Sequence, residues 1–229
     1  MTPILFFDTG PIISLTMSKL DWILPPLKEK FGGKFYITPA VYRELIERPL
    51  QIKRFQFEAL NAMKMVREGL FEVYTKVPKR QVGSFISLAN NSFLIDGKPM
   101  DIIQEGEMES ITCALQEKAA GLVMDERTLR LLIEDMSAIT ELLEARFQKK
   151  VIADKVKIKQ LNQNLAGISI IRSIELVAAG YKMGILDSYL PPGKGNRDVL
   201  LDAVLWTVKY NGCAVISEEI DELKRILNP

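Results

Sequence analysis

Four acids of the chain stand where an acid can do chemistry. Asp8 ends the apolar run Ile4–Phe7 and is followed at once by Thr9, Gly10 and Pro11. Glu44 falls in the first or second turn of a helix opened by Thr38-Pro39. Glu107 follows Gly106 at a helix start, and Asp125 ends the apolar run Gly121–Met124. Carboxylates gathered within a few ångström repel, and each raises its neighbours' pKa unless a cation is present. Magnesium or manganese is the natural cation, because both are hard ions that take oxygen ligands. A metal so placed activates a water and neutralises charge building on a phosphodiester. The chain has no histidine, which removes Ser-His-Asp and Cys-His nucleophile systems, His-ligated zinc and imidazole acid–base chemistry.

Each acid also has a plain structural use open to it. Asp8 and Asp125 can cap the helices that follow them, and Glu44 can be a solvated helix residue. Glu107 and Glu109 in a first helical turn favour the helix dipole by about 0.3–1 kcal/mol. Their order and placement along the chain are therefore the signal, not any one of them.

The elements that must position these residues follow from the apolar pattern. Short apolar runs predict strands at Ile4–Phe7, Lys34–Ile37, Phe71–Val77, Gly121–Met124 and Ile168–Ile171. Helices are predicted between them: Ile12–Met17 with Pro11 in its first turn, Leu20–Lys30 broken by Pro25-Pro26, and one N-capped by Thr38 with Pro39 at its first position. Others are expected over Phe55–Glu68, from Gly106, over Thr128–Ile133 and Ala138–Lys149, and over Ser173–Lys182. Asp198–Tyr210 and Glu218–Leu227, the latter capped by Ser217, close the chain. Residues 78–105, with Gly83, Asn90-Asn91 and Asp96-Gly97, read as a loop-rich or mixed stretch, and Pro191-Pro192-Gly193 as a loop. Alternating short apolar strands and helices predict an α/β fold with a central parallel sheet. In such sheets sites lie beyond the carboxyl ends of the strands, where Asp8 and Asp125 are placed.

The composition sets bounds. The chain has 229 residues, with thirty basic residues against twenty-nine acidic ones, a formal net charge of +1. That excludes a strongly basic nucleic-acid coat but not a local basic groove. Cys113 and Cys213 lie in apolar helical patterns and read as reduced core residues of a cytoplasmic protein. No apolar stretch approaches the roughly 20 residues of a membrane span, and MTPILFFDTG lacks a basic n-region. Pro192-Gly193-Lys194-Gly195 lacks the spacing and the preceding strand of a phosphate loop.

The residues that carry this pattern resemble a known family, the PIN-domain ribonucleases. The resemblance rests on Phe7-Asp8-Thr9-Gly10-Pro11-Ile12-Ile13, Thr38-Pro39-Ala40-Val41-Tyr42-Arg43-Glu44-Leu45, Gly106-Glu107-Met108-Glu109-Ser110-Ile111 with Ala114 one turn on, and Val123-Met124-Asp125-Glu126-Arg127. It is nearest to a prokaryotic subgroup whose third motif reads Gly-Glu-x-Glu-Ala-Ile, and it spans about residues 3–133. Ile168–Leu186 looks like that subgroup's final strand and helix. The resemblance implies a three-layer α/β/α PIN-like fold with a central parallel sheet and extra helices. It implies Mg²⁺- or Mn²⁺-dependent cleavage of RNA, with Asp8, Glu44, Glu107 and Asp125 as catalytic metal ligands and Thr9 orienting the first of them. Glu109 is the alternative third ligand, and Arg127 a candidate phosphate contact. A homodimer or an antitoxin-like protein partner also belongs to what the resemblance implies.

The chain departs from the family in two ways. It has Glu at the third position, where many members have Asp, and it is longer than the toxin members. The reading that results is a PIN-like nuclease domain over 1–190, containing a helical, partly basic insertion over about 134–165, and a C-terminal helical extension over 191–229. Within the insertion, Lys149, Lys150, Lys155 and Lys157 are candidate RNA contacts, each phosphate contact adding salt-dependent affinity. A solvated helix face carries such charges equally well. The rival to the metal-dependent endoribonuclease is a catalytically inactive PIN-like module that binds RNA or protein, a reading the third-position Glu and the near-neutral charge support.

Overall fold

In a computed structural model the described residues are 2–134, 136–192 and 196–227. They run β1 (Ile4–Phe7), α1 (Thr9–Met17), α2 (Leu24–Phe31), β2 (Lys34–Ile37), α3 (Pro39–Tyr42), α4 (Arg48–Leu50), α5 (Gln56–Arg67), β3 (Glu72–Val73), α6 (Lys79–Asn90), β4 (Phe93–Ile95), β5 (Lys98–Pro99), α7 (Glu105–Gln116), β6 (Gly121–Val123), α8 (Arg127–Glu134), α9 (Met136–Phe147), β7 (Ile152–Ala153), α10 (Lys155–Leu165), β8 (Ile170–Ile171), α11 (Ser173–Lys182), α12 (Asn196–Tyr210) and α13 (Ser217–Leu227).

Five strands form one parallel sheet in the order β3-β2-β1-β6-β8. Parallel strands need crossovers, and helices supply them on both faces, which is why the strands read as near-continuous apolar runs. Alternate residues go to opposite faces. Leu5 and Phe7, Phe35 and Ile37, and Val123 join one buried cluster with α1, α2, α5, α11, α12 and α13. Phe6, Leu122 and Met124 join the other with α6, α7, α8, α9 and α10. Leu201, Leu205 and Val208 of α12 and Ile220 of α13 thus share a core with β1.

The register ties the strand ends together. Phe7 pairs with Ile37 on one side and Val123 on the other. The chain leaves β1 toward β2 and later returns on β1's other side as β6, so the strand order reverses between β1 and β6. Such a switch point opens a crevice beyond the carboxyl ends of the two strands.

Several expectations are corrected. The strand expected over Phe71–Val77 pairs only at Glu72–Val73, an edge position. After the Tyr74 N–H bonds to Ile37 O the chain leaves the sheet, and the Lys76 carbonyl is taken by the Gln116 side chain. The stretch 78–105 holds α6 and a hairpin. Val82, Phe85 and Ala89 bury one helical face, and Asp96-Gly97 is its turn, with φ of 52° and 76° as a two-residue hairpin of this hand requires. The insertion over 134–165 is not wholly helical, because β7 pairs antiparallel with β4 in a second, three-stranded sheet. Pro25-Pro26 do not break a helix; they open α2 after a 3₁₀ turn at Asp21–Ile23, where the missing N–H groups cost nothing. Of the loop read at Pro191-Pro192-Gly193, and of the motif Pro192-Gly193-Lys194-Gly195, the glycines and the lysine lie outside the described residues.

Candidate active site at the switch point

The crevice is an open cleft of about 410 Å³ lined by Asp8, Thr9, Gly10, Glu44, Gln104, Glu107, Asp125, Glu126, Arg127, Gly212 and Ala214. All four acids singled out in the sequence line it. Each arrives there on a different element end.

Asp8 directly follows β1, its backbone N–H donating to Val123 O at 2.9 Å and so locking it beside β6. Its side chain caps α1 toward the Gly10 N–H. Asp8 is 6% exposed. Burial pushes its carboxyl up to about 6, the Thr9 and Gly10 N–H groups pull it down in part, and the Glu44 and Asp125 charges push it up again.

Glu44 sits where the helix opened by Thr38 widens into a π-turn over Arg43–Glu47. Such widening is frequent at functional sites because it re-aims side chains. Thr9, expected to orient Asp8, donates its hydroxyl instead to Glu44 Oε2 at 3.1 Å. A Cβ on Gly106 would lie 3.0 Å from Glu44 Oε1, so the glycine is what lets α7 approach this carboxylate.

Glu107 reaches back to accept the Gln104 N–H at 2.9 Å, capping α7. Burial pushes its carboxyl up to about 8, opposed by the Gln104 N–H and reinforced by the charges of Glu126, Asp8 and Glu44. Glu109, the alternative ligand, does not line the cleft. It is buried, and its Oε1 accepts the Ala40 N–H at 2.8 Å, holding the first turn of α3 against α7.

Asp125 follows β6 by two residues and is buried. Its Oδ1 accepts the Ser173 N–H at 2.8 Å, and the Ser173 hydroxyl lies 2.9 and 2.7 Å from its two oxygens. The N-terminus of α11 thus turns one of its orphan N–H groups and its first hydroxyl on this carboxylate. Burial, together with the Asp125 charge, pushes the Cys213 thiol beside it up to about 12, so this cysteine is an inert packing group.

Sequence reasoning missed Ser173, Glu126 and the Gly212–Ala214 turn. Ser173 carried a usable signal, a hydroxyl residue at the junction of a short strand and a helix in the same sheet. Gly212 carried none. It adopts φ 125°, and a Cβ there would stand 3.0 Å from Ser14 Oγ, so the glycine lets the turn after α12 close on α1 beside the cleft, more than two hundred residues along the chain from Asp8. Lys149, Lys150, Lys155 and Lys157 do not line the cleft. Lys149 pairs with Asp96, and Lys157 with Asp154 and the Asn91 carbonyl, around the three-stranded sheet. A larger concavity of about 750 Å³ near Trp22 holds no such chemistry. In it Asn61 donates to Asp21, and Lys28 to the carbonyls of Gly69 and Leu70.

No family model, no curated protein and no solved structure matches the chain. The donor chemistry of the cleft fits a hard divalent cation. The donors are carboxylate oxygens, and two of these carboxyls, Asp8 and Glu107, are pushed up by burial and by the charges of neighbouring acids, an excess of negative charge that a cation relieves. Among the described residues no three Asp, Glu, Cys or His side chains already form a metal cage. Magnesium does not require one, since it keeps several waters and binds through one or two carboxylates plus substrate phosphate. Among the described residues no helix is long and apolar enough to cross a membrane.

Proposed function

We propose that the chain is a metal-dependent endoribonuclease of the PIN type. The observation that carries the reading is the convergence of Asp8, Glu44, Glu107 and Asp125 on one cleft at the point where the parallel sheet reverses its strand order. These four carboxylates would hold Mg²⁺ or Mn²⁺. A bound ion supplies an acidified water and neutralises charge on the phosphodiester. The chain's own groups do the positioning. Thr9 fixes Glu44, Ser173 fixes Asp125, and the Asp8 backbone is pinned to β6. Arg127, exposed at the rim, would meet a substrate phosphate.

A second reading has its own observation. Asp125 is held at both oxygens by Ser173, which leaves it less free to ligate, as in a module that binds without cutting. One experiment separates the two: incubation of the purified chain with mixed RNA in Mn²⁺, with EDTA and Asp8→Asn as controls. Cleavage lost in both controls supports the nuclease. Absence of both cleavage and Mn²⁺ binding overturns it in favour of the binding module.

A further inference from the structure

We infer that a second groove, built from α8, α12 and the turn before α13, is the track along which single-stranded RNA enters the acidic cleft, with Arg127 and Lys209 contacting its phosphates. The inference rests on the nuclease reading above and adds the path of the substrate.

The groove measures about 470 Å³ and is lined by Arg127, Arg130, Lys209, Glu219 and the apolar residues Leu131, Cys213, Ala214, Val215 and Ile216. It adjoins the acidic cleft without a break, because Arg127 and Ala214 line both. A strand whose reacting phosphate lies over the carboxylates therefore passes Arg127 as it leaves them.

Its charge is opposite to that of the cleft. Three cations face a single carboxylate. That carboxylate, Glu219, is already engaged. Arg172, buried beneath, donates to its Oε1 at 2.7 Å, and Arg130 pairs with the same oxygen at 3.4 Å. Against the burial that would raise it, the Ile216 N–H and Arg172 hold Glu219 below the usual carboxylate range, so it stays ionised and paired. Its charge is spent on Arg172 and Arg130, and the charges of Arg127 and Lys209 are the ones that face an incoming anion. Lys209 is held in place, donating to Ser217 Oγ at 2.9 Å with its ammonium 4.6 Å from the centre of the Trp206 ring. A pre-ordered cation loses less side-chain freedom on binding a phosphate. Cationic walls beside a negative cleft suit a polyanion that must be drawn toward carboxylates that would otherwise repel it.

The test is fluorescence anisotropy with a short fluorescein-labelled single-stranded RNA of mixed sequence, in EDTA so that nothing is cut, across a series of salt concentrations. The variants are Arg127→Gln/Lys209→Gln in the groove and Lys155→Gln/Lys157→Gln on the three-stranded sheet, each checked by thermal melting against the parent. Each lost phosphate contact lowers the slope of log K against log salt by about 0.7 and affinity about fivefold near 0.1 M salt. The groove pair is expected to bind about 25-fold more weakly with a slope reduced by about 1.4, and the sheet pair to bind as the parent does. Parent-like affinity and slope in a folded groove pair overturns the inference, as does an absence of RNA binding by the parent chain. The two readings fail separately. RNA held through the groove but never cut in Mn²⁺ removes the nuclease and keeps the track, whereas metal-dependent cleavage with an unchanged groove pair removes the track alone.

Discussion

Ser173 holds Asp125 at both carboxylate oxygens, with its N–H 2.8 Å from Oδ1 and its hydroxyl 2.7 Å from Oδ2. The pair joins the end of β6 to the start of α11, forty-eight residues on. Behind it, Arg172 is bonded to Glu175 on its own helix and to Glu219 on α13. One acid of the cleft is therefore positioned by the start of α11, which Arg172 in turn ties to α13.

Removing the hydroxyl exposes this dependence. Ser173→Ala leaves Asp125 the backbone N–H but strips its other contact inside a buried site, a loss of about 1–3 kcal/mol. The melting temperature should fall by several degrees, since about 1 kcal/mol corresponds to roughly 2–4 °C in a chain of this size. RNA cleavage in Mn²⁺ should fall with it, measured at a temperature where the variant is fully folded. Parent-like melting and cleavage would show that Ser173 does not position the acid.

The sequence carried the strands β1 and β2 and the helix α11 to the residue, because each has both an apolar pattern and a clear boundary: Asp8-Thr9-Gly10-Pro11, Thr38-Pro39, and Ser173. It also brought Asp8 and Asp125 to one edge, since an acid at the end of a buried strand of a parallel sheet has one edge to go to, and Glu44 and Glu107 to the starts of helices that reach the same edge. It did not carry α6, where Gly83 and the polar residues around it dilute a face of only three buried side chains, Val82, Phe85 and Ala89. Nor did it carry Gly212 and Ala214, because contacts between the turn after α12 and the end of β1 are set by packing of whole helices and leave no local pattern. The same limit explains Thr9. The resemblance implied Asp8 as its partner, whereas the π-turn brings Glu44 to its hydroxyl.

Gly106 offers a probe of Glu44 that barely touches the core. In Gly106→Ala the new Cβ would stand 3.0 Å from Glu44 Oε1, and the clash is with the end of a flexible side chain, which can swing away. Alanine also favours the helix by up to about 1 kcal/mol. The variant should melt at or above the parent's temperature and still lose cleavage at least tenfold, because Glu44 leaves both the cleft and its 3.1 Å bond to Thr9. Retained cleavage would remove Glu44 from the site.

Asp8 predicts a pH dependence with a definite sign. Its folded value of about 6 lies above its unfolded value of 3.8, so the unfolded chain ionises first. For this group, folding is favoured most below about pH 4, and stability is lost as pH rises from there through 6, by on the order of 3 kcal/mol. Asn at this position keeps the α1 cap and removes the buried charge. Metal-free Asp8→Asn should therefore melt above the parent at pH 7, with the gap closing as pH falls toward 4, and Mn²⁺ should raise the parent's melting temperature but not the variant's. A constant gap across that range would rule out the buried charge as its cause.

Glu107 and Glu109 differ by two positions and have different surroundings, which makes the third ligand decidable. Glu107 lines the cleft with a carboxyl pushed up to about 8, so it is largely protonated at pH 7 and must release its proton to bind a cation. Glu109 faces the Ala40 N–H and holds α3. Calorimetric titration of Mn²⁺ at pH 7 in two buffers of different ionisation enthalpy should therefore show proton release by the parent chain. Glu107→Gln should bind Mn²⁺ at least tenfold more weakly and release fewer protons, with its melting temperature preserved or raised. Glu109→Gln keeps an acceptor for Ala40 and should bind Mn²⁺ as the parent does, while Glu109→Ala should be destabilised by about 1–3 kcal/mol. Weakened Mn²⁺ binding in Glu109→Gln with none in Glu107→Gln would exchange the two assignments.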